Sequence, residues 1–117
     1  MAVQYDLEDR TLQFAKDVRV FVKRLNKSIA NFEDSKQVVR SSGSVGANYI
    51  EANEALSKKD FLFRIKICRK EAKESRYWLR LLDLDGVEGL EDTREALLDE
   101  ANQLMKIFGA IVVKSDS

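Results

Sequence analysis

SKKDFLFRIKICRKEAKESRYWLRLL, residues 57–82, is the stretch that decides the fold. Phe61, Ile65, Cys68, Ala72, Ser75, Leu79 and Leu82 recur in it at alternating steps of four and three, the period at which residues line one side of an α-helix. Ser57 and Asp60 have capping-box spacing: the hydroxyl accepts from the first turn and the carboxylate reaches back to the Ser57 amide. The stretch reads as one long amphipathic helix whose seam packs against other helices.

The other side of this helix is basic. Lys59, Lys66, Lys73 and Arg80 repeat every seventh residue, Arg69 and Arg76 lie on the adjoining row, and Lys70 and Tyr77 share a row with Phe63. Such a face is solvated, or meets another subunit, or binds RNA or DNA by phosphate contacts and aromatic stacking. Ile67, Trp78 and Leu81 fall outside the main seam. Apolar groups on a second face point to a second buried contact, within the bundle or between subunits.

Upstream, Leu7, Thr11, Phe14, Val18, Phe21, Leu25 and Ile29 keep helical spacing and predict a helix over about 6–30. Asn31-Phe32-Glu33-Asp34 reads as a connection, with Asp34 and Gln37 as a capping box opening a second helix over about 35–56. That helix crowds Ser41, Ser42, Gly43, Ser44, Gly46 and Ala47 into one stretch. Each interior Gly costs about 1 kcal/mol relative to Ala, so close approach of a neighbouring helix backbone is the expected compensation. A phosphate-cradling loop is the alternative, but the Lys-Ser/Thr of that motif is missing and no strand precedes it. Val38, Val45, Ala52 and Leu56 keep the helical period across the small residues.

Asn48, Glu51 and Glu54 follow at spacings that share a helix face. A di-metal carboxylate bundle needs Glu-x-x-His pairs on two helices, and this chain has no His. Capping, interhelical hydrogen bonds or pairing with the basic third helix is the expected use of these residues, and Asn48, Glu51, Phe63, Tyr77 and Trp78 are candidate inter-helix or interface positions. No metal ligands, cofactor-binding residues or catalytic residues are assigned: Cys68 falls on the seam as a small buried hydrophobe, and no His is present to activate it.

Downstream, Asp83–Leu90 makes the longest loop, with Gly86 expected to stop the third helix, read as 58–84. Acidic Glu91 and Asp92 suit the start of a last helix over about 92–114, whose seam is Leu97, Ala101, Leu104, Phe108 and Ile111. The four helices and their short links predict an all-α, antiparallel up-down-up-down bundle in a single domain, 1–117.

Composition sets the bounds. The 117 residues contain no Pro, five Gly and one Cys, so helix breakers are few and no internal disulfide is available. MAVQYDLEDR has no apolar signal-like core and nothing approaches about 18 continuous apolar residues, so a cytoplasmic protein with no membrane partner is expected. Net charge is zero but unevenly placed. Residues 1–82 hold 17 Lys and Arg against 11 Asp and Glu, and residues 83–117 hold 3 against 9. The split fits an anionic partner or association of copies, plus on minus.

Three pieces of the middle of the chain form a joint pattern: Ser44-Val45-Gly46-Ala47-Asn48-Tyr49-Ile50-Glu51-Ala52, Ser57-Lys58-Lys59-Asp60-Phe61, and Lys70-Glu71-Ala72-Lys73-Glu74-Ser75-Arg76-Tyr77-Trp78-Leu79. In these the chain closely resembles the four helix bundle protein family, also called the 23S rRNA intervening-sequence proteins, and more loosely so over the first and last helices. The resemblance implies antiparallel four-helix bundles that associate as pentamers, some encoded by insertions within bacterial ribosomal RNA genes. A related branch is the accessory protein of diversity-generating retroelements, which binds a reverse transcriptase and nucleic acid through a positive surface. That branch is strongly basic overall, whereas this chain is neutral with an acidic final third. No catalytic residue is implied. The expectation is a non-enzymatic homo-oligomeric scaffold or adaptor without cofactor. The alternative is an RNA- or DNA-binding accessory protein using Lys59, Lys66, Arg69, Lys70, Lys73, Arg76 and Arg80.

Overall fold

The computed structural model describes residues 6–116. Four helices follow one another: α1 (Leu7–Lys23), α2 (Ile29–Asn53), α3 (Lys58–Leu81) and α4 (Leu90–Asp116). The long-range side-chain contacts set their directions. Along α1 and α2, Thr11 meets Gly46 whereas Arg19 reaches Gly43 and the Val39 carbonyl. Between α2 and α3, Arg40 reaches Glu71 and Glu74 whereas Asn48 meets Arg64. Arg76 bonds Asn102 and Arg69 lies over Gly109 between α3 and α4, and Arg10 bonds Glu100 while Arg24 reaches the Glu88 carbonyl near the other end of α1. Each pair runs in opposite senses, so the topology is up-down-up-down. Packing joins α1 to α2, α2 to α3, α3 to α4 and α4 back to α1, which arranges the helices as a square, and across its diagonal the ring of Tyr49 of α2 meets that of Phe108 of α4 at 6.0 Å.

The seams meet along the axis. Phe14, Phe21, Ile65, Leu79, Leu104 and Phe108 are fully buried, each worth about 1.5–3 kcal/mol of transfer from water. At the middle of α3 the seam narrows to Cys68, Ala72 and Ser75. Here the Ser75 hydroxyl meets Ser41 of α2 at 2.8 Å and also donates to the Glu71 carbonyl. Gly46 faces elsewhere, toward α1: a Cβ there would lie 2.8 Å from Thr11 Oγ1, so the missing side chain admits the α1 side chain. The small residues of α2 thus serve two neighbours, Gly46 toward α1 and Ser41 toward α3.

The first connection departs from the expected one. α1 stops at Lys23, and Ser28, in an extended conformation, caps α2 by accepting from the Asn31 N–H at 3.0 Å. Asp34 sits inside α2, and Ile29, which extends the α1 period in the sequence, is 88% exposed. Buried Asn31 accounts for the earlier start. Its amide donates to the carbonyls of Asn26 and Asp83 and its oxygen accepts from the Asp83 N–H, tying the α1–α2 link to the exit of α3. α2 also ends sooner, at Asn53, leaving Leu56 97% exposed in the turn instead of on the seam.

Ser57 caps α3 and accepts from the Asp60 N–H at 3.0 Å. Gly86 does not terminate α3, which ends at Leu81 as Leu82 turns extended. The stop is made by Arg94 of α4, whose guanidinium donates to the carbonyls of Leu79 and Leu82. Gly86 and Gly89 instead take positive φ in the following loop, as does Asp85, and α4 opens at Leu90. Among the described residues no helix is long and apolar enough to cross a membrane.

Candidate interaction surface around the third helix

α3 sits at one corner of the square, so one of its flanks faces α2, the other α4, and a strip between them faces outward. Toward α4, Lys66, Arg69, Lys70 and Lys73 line a groove of about 480 Å³ together with Met105 and Lys106. None of these five cations has an ion pair among the described residues. Gly109 leaves space for the Arg69 side chain, whose guanidinium would lie 3.7 Å from a Cβ at that position. One turn further along α3, Arg76 is tied by a 2.7 Å hydrogen bond to Asn102 Oδ1, and exposed Arg80 stands with it beside Glu95 and Asp99. Lys59 lies apart, exposed in the first turn of α3.

The α2 flank is occupied by polar locks. Arg64 donates to Asn48 Oδ1 at 3.0 Å while the Asn48 amide donates to the Ser44 carbonyl and hydroxyl. Glu71 and Glu74 do not pair with basic residues one turn away on α3, as their spacing suggests, but hold Arg40 of α2 at 3.3 and 3.5 Å. Glu51 is exposed and joins none of these locks.

The outward strip carries Phe63 and Tyr77, 59% and 57% exposed, with Leu81 at its end. Arg64 lies 5.9 Å from the Phe63 ring centre, and Tyr77 meets Trp78 edge-on at 5.1 Å. Trp78 itself is half-buried against the core. The strip between the basic groove and the α2 locks is therefore aromatic and open to solvent.

A second groove was not legible as such in the sequence. Between α1 and α4, Asp6, Asp9, Asp17 and Glu100 surround a concavity of about 640 Å³ floored by Phe14, Ala96 and Leu97. Among the described residues its single cation is Arg10, which donates to both oxygens of Glu100 at 2.7 and 2.9 Å, a pairing that raises the guanidinium above its ordinary pKa. Asp9 and Asp17 of α1 and Asp6 at its N-cap supply three of the four acidic residues, inside the part of the chain that is basic in total. The Asp6-x-x-Asp9 spacing is the signal that marks a shared helix face.

The chemistry on offer is limited. The Cys68 thiol is fully buried, and burial pushes its pKa up to about 12, so it holds its proton and does not act as a nucleophile. Among the described residues no group of three or more His, Cys, Asp or Glu is placed to hold a metal ion. No buried side-chain polar atom among them lacks a hydrogen-bond partner, so none is left over to mark a ligand cradle.

Residues 4–110 match the family model described as 23S rRNA-intervening sequence protein. Among solved structures, the chain is similar to a protein of unknown function from the S23 ribosomal protein family of Bacteroides thetaiotaomicron. The two share 31% identity over 90% of this chain and 96% of the other, with a TM-score of 0.76. No curated protein matches. The family model spans nearly the whole four-helix core, including both grooves that flank α4, and the chain belongs to the 23S rRNA-intervening sequence protein family.

Proposed function

We propose that this chain is a non-enzymatic scaffold or adaptor that acts in the cytoplasm as a homo-oligomer, the pentamer being the assembly its family resemblance implies. The carrying observation is the open aromatic strip of α3, where Phe63, Tyr77 and Leu81 stay roughly half exposed on a protomer whose core is already complete. Large apolar groups aligned on one outward face favour a second contact over free solvation. Leu12 and Ile50, half exposed beside the shallow α1–α2 groove, extend the same argument to another face. The absence of a nucleophile–base pair among the described residues supports a structural role. Light scattering with mass determination tests the reading: an assembly of several copies is expected, and a strict monomer at tens of micromolar overturns it.

A second reading, RNA or DNA binding, is favoured by the unpaired cations of the α3–α4 groove. It expects an affinity for oligonucleotides that falls linearly in log–log with salt, by close to one power per phosphate neutralised. Lys66→Glu with Lys73→Glu should abolish that binding. No binding at low salt, or binding unchanged in the double variant, rejects it.

A further inference from the structure

We propose that the partner of the basic α3–α4 groove is the acidic α1–α4 groove of a second copy of this chain. This rests on the self-associating reading above and adds to it a charged contact distinct from the aromatic strip. The basic groove holds five cations, and in the acidic one Asp6, Asp9 and Asp17 likewise have no ion pair among the described residues. Like charges gathered in one concavity repel one another, and a strip of opposite sign relieves both sets at once. Half-buried Met105 in one groove and exposed Ala96 in the other add a little apolar surface that closure removes from water, while Phe14 and Leu97 beneath are already buried. The charge balance favours a second copy over nucleic acid. With 20 basic and 20 acidic residues the chain has no surplus to attract a polyanion at long range, and the acidic groove beside α4 would repel one.

The geometry of the square decides how copies continue. The two grooves occupy adjacent sides of the bundle with α4 between them, so they face in different directions and one copy can meet two others. Contact between unlike patches is heterologous, so copies continue head to tail, with α4 of each lying between its two contacts. Arg69 sits beside Gly109 whereas Arg10 sits beside Glu100. Nine residues of α4 separate these levels, about 13 Å at the helical rise, so copies joined through the two grooves are offset along the bundle axis.

The test uses two charge-reversed variants of the full chain, Lys70→Glu with Lys73→Glu and Asp9→Lys with Asp17→Lys, all four at exposed positions. Circular dichroism confirms that each remains helical. In light scattering at low salt each variant alone should need at least about tenfold more protein than the wild type to assemble. Mixing the two should recover association, because the acidic groove of the first and the basic groove of the second are both unaltered. If the wild type assembles and both variants assemble equally well, the interface is overturned while the scaffold reading stands. If the wild type is monomeric, both fall. If the lysine variant keeps its mass but loses binding to a single-stranded oligonucleotide, the groove belongs to nucleic acid and the proposal is overturned.

Discussion

Replacing Asn31 by Ala should loosen the end of the bundle where two connections meet. Asn31 is 3% exposed, and its side chain makes three hydrogen bonds of 2.8 to 3.0 Å to the backbone of Asn26 and Asp83. Alanine leaves two carbonyls and one N–H without these partners. Each unsatisfied buried group costs about 1–3 kcal/mol, and the side chains of Asn26 and Asp83 are exposed, which lets water recover part of the loss. The expected total is about 2–4 kcal/mol. Urea unfolding followed by circular dichroism, at one fixed protein concentration, reads this directly: with a slope of about 1.5–2 kcal/mol/M the midpoint should drop by roughly 1–2.5 M. Asn31→Asp keeps the acceptor for the Asp83 N–H but sets a carboxylate against two carbonyl oxygens, and should lose at least as much at neutral pH. A loss below about 0.5 kcal/mol in both variants, the level of an ordinary surface change, would refute the clamp.

Other variants probe separate links. Gly46→Ala puts a Cβ 2.8 Å from Thr11 Oγ1, which is itself held by the Leu7 carbonyl at 2.7 Å, so overpacking should outweigh the roughly 1 kcal/mol gained in helix propensity and lower the denaturation midpoint. Gly43→Ala meets only the end of the flexible Arg19 side chain at 3.4 Å and should be neutral or stabilising by up to about 1 kcal/mol in the same assay. Ser57→Ala removes the acceptor for the Asp60 N–H and should cost about 1 kcal/mol in thermal unfolding, with Ser57→Asp restoring most of it. Burial raises the Cys68 pKa to about 12 in the folded protein, so its contribution to stability is complete below the unfolded value near 8.5 and is lost as pH climbs toward 12. Across that window the wild type should lose stability faster than Cys68→Ala, by up to about 1.4 kcal/mol per pH unit, and its thiol should resist labelling at pH 8 until the chain unfolds.

The residues that carried most of the fold can be read from their spacing alone. The seams of α1, α3 and α4 hold because a four-three repeat places side chains on one face whatever the neighbours are, and Ser57 caps α3 through a contact only three residues long. Where helices stop was less legible. Ile29 and Leu56 continue an apolar period into segments that are not helical seam, since the period says nothing about whether the next residue has a neighbour to pack against. Asn31 and Arg94, which set the ends of α2 and α3, act on backbone 52 and 12 to 15 residues away. No local pattern announces such contacts.

The candidate surface divides in the same way. The basic rows of α3 follow from the heptad positions of Lys59, Lys66, Lys73 and Arg80, and so does the aromatic row of Phe63 and Tyr77. The sequence by itself determined that four amphipathic helices would form and which stripe of each would be buried, because helical periodicity and capping are local. Only the tertiary structure decided which flank of α3 is open. It turned Glu71 and Glu74 toward Arg40 and left Lys66, Arg69, Lys70 and Lys73 unpaired beside α4. It also gathered Asp6, just before α1, and Asp9 and Asp17 of α1 with Glu100 of α4 into a groove of opposite sign. Charge is a property of the residue, but a charged surface depends on which helices stand side by side, and that is settled by packing across the whole bundle.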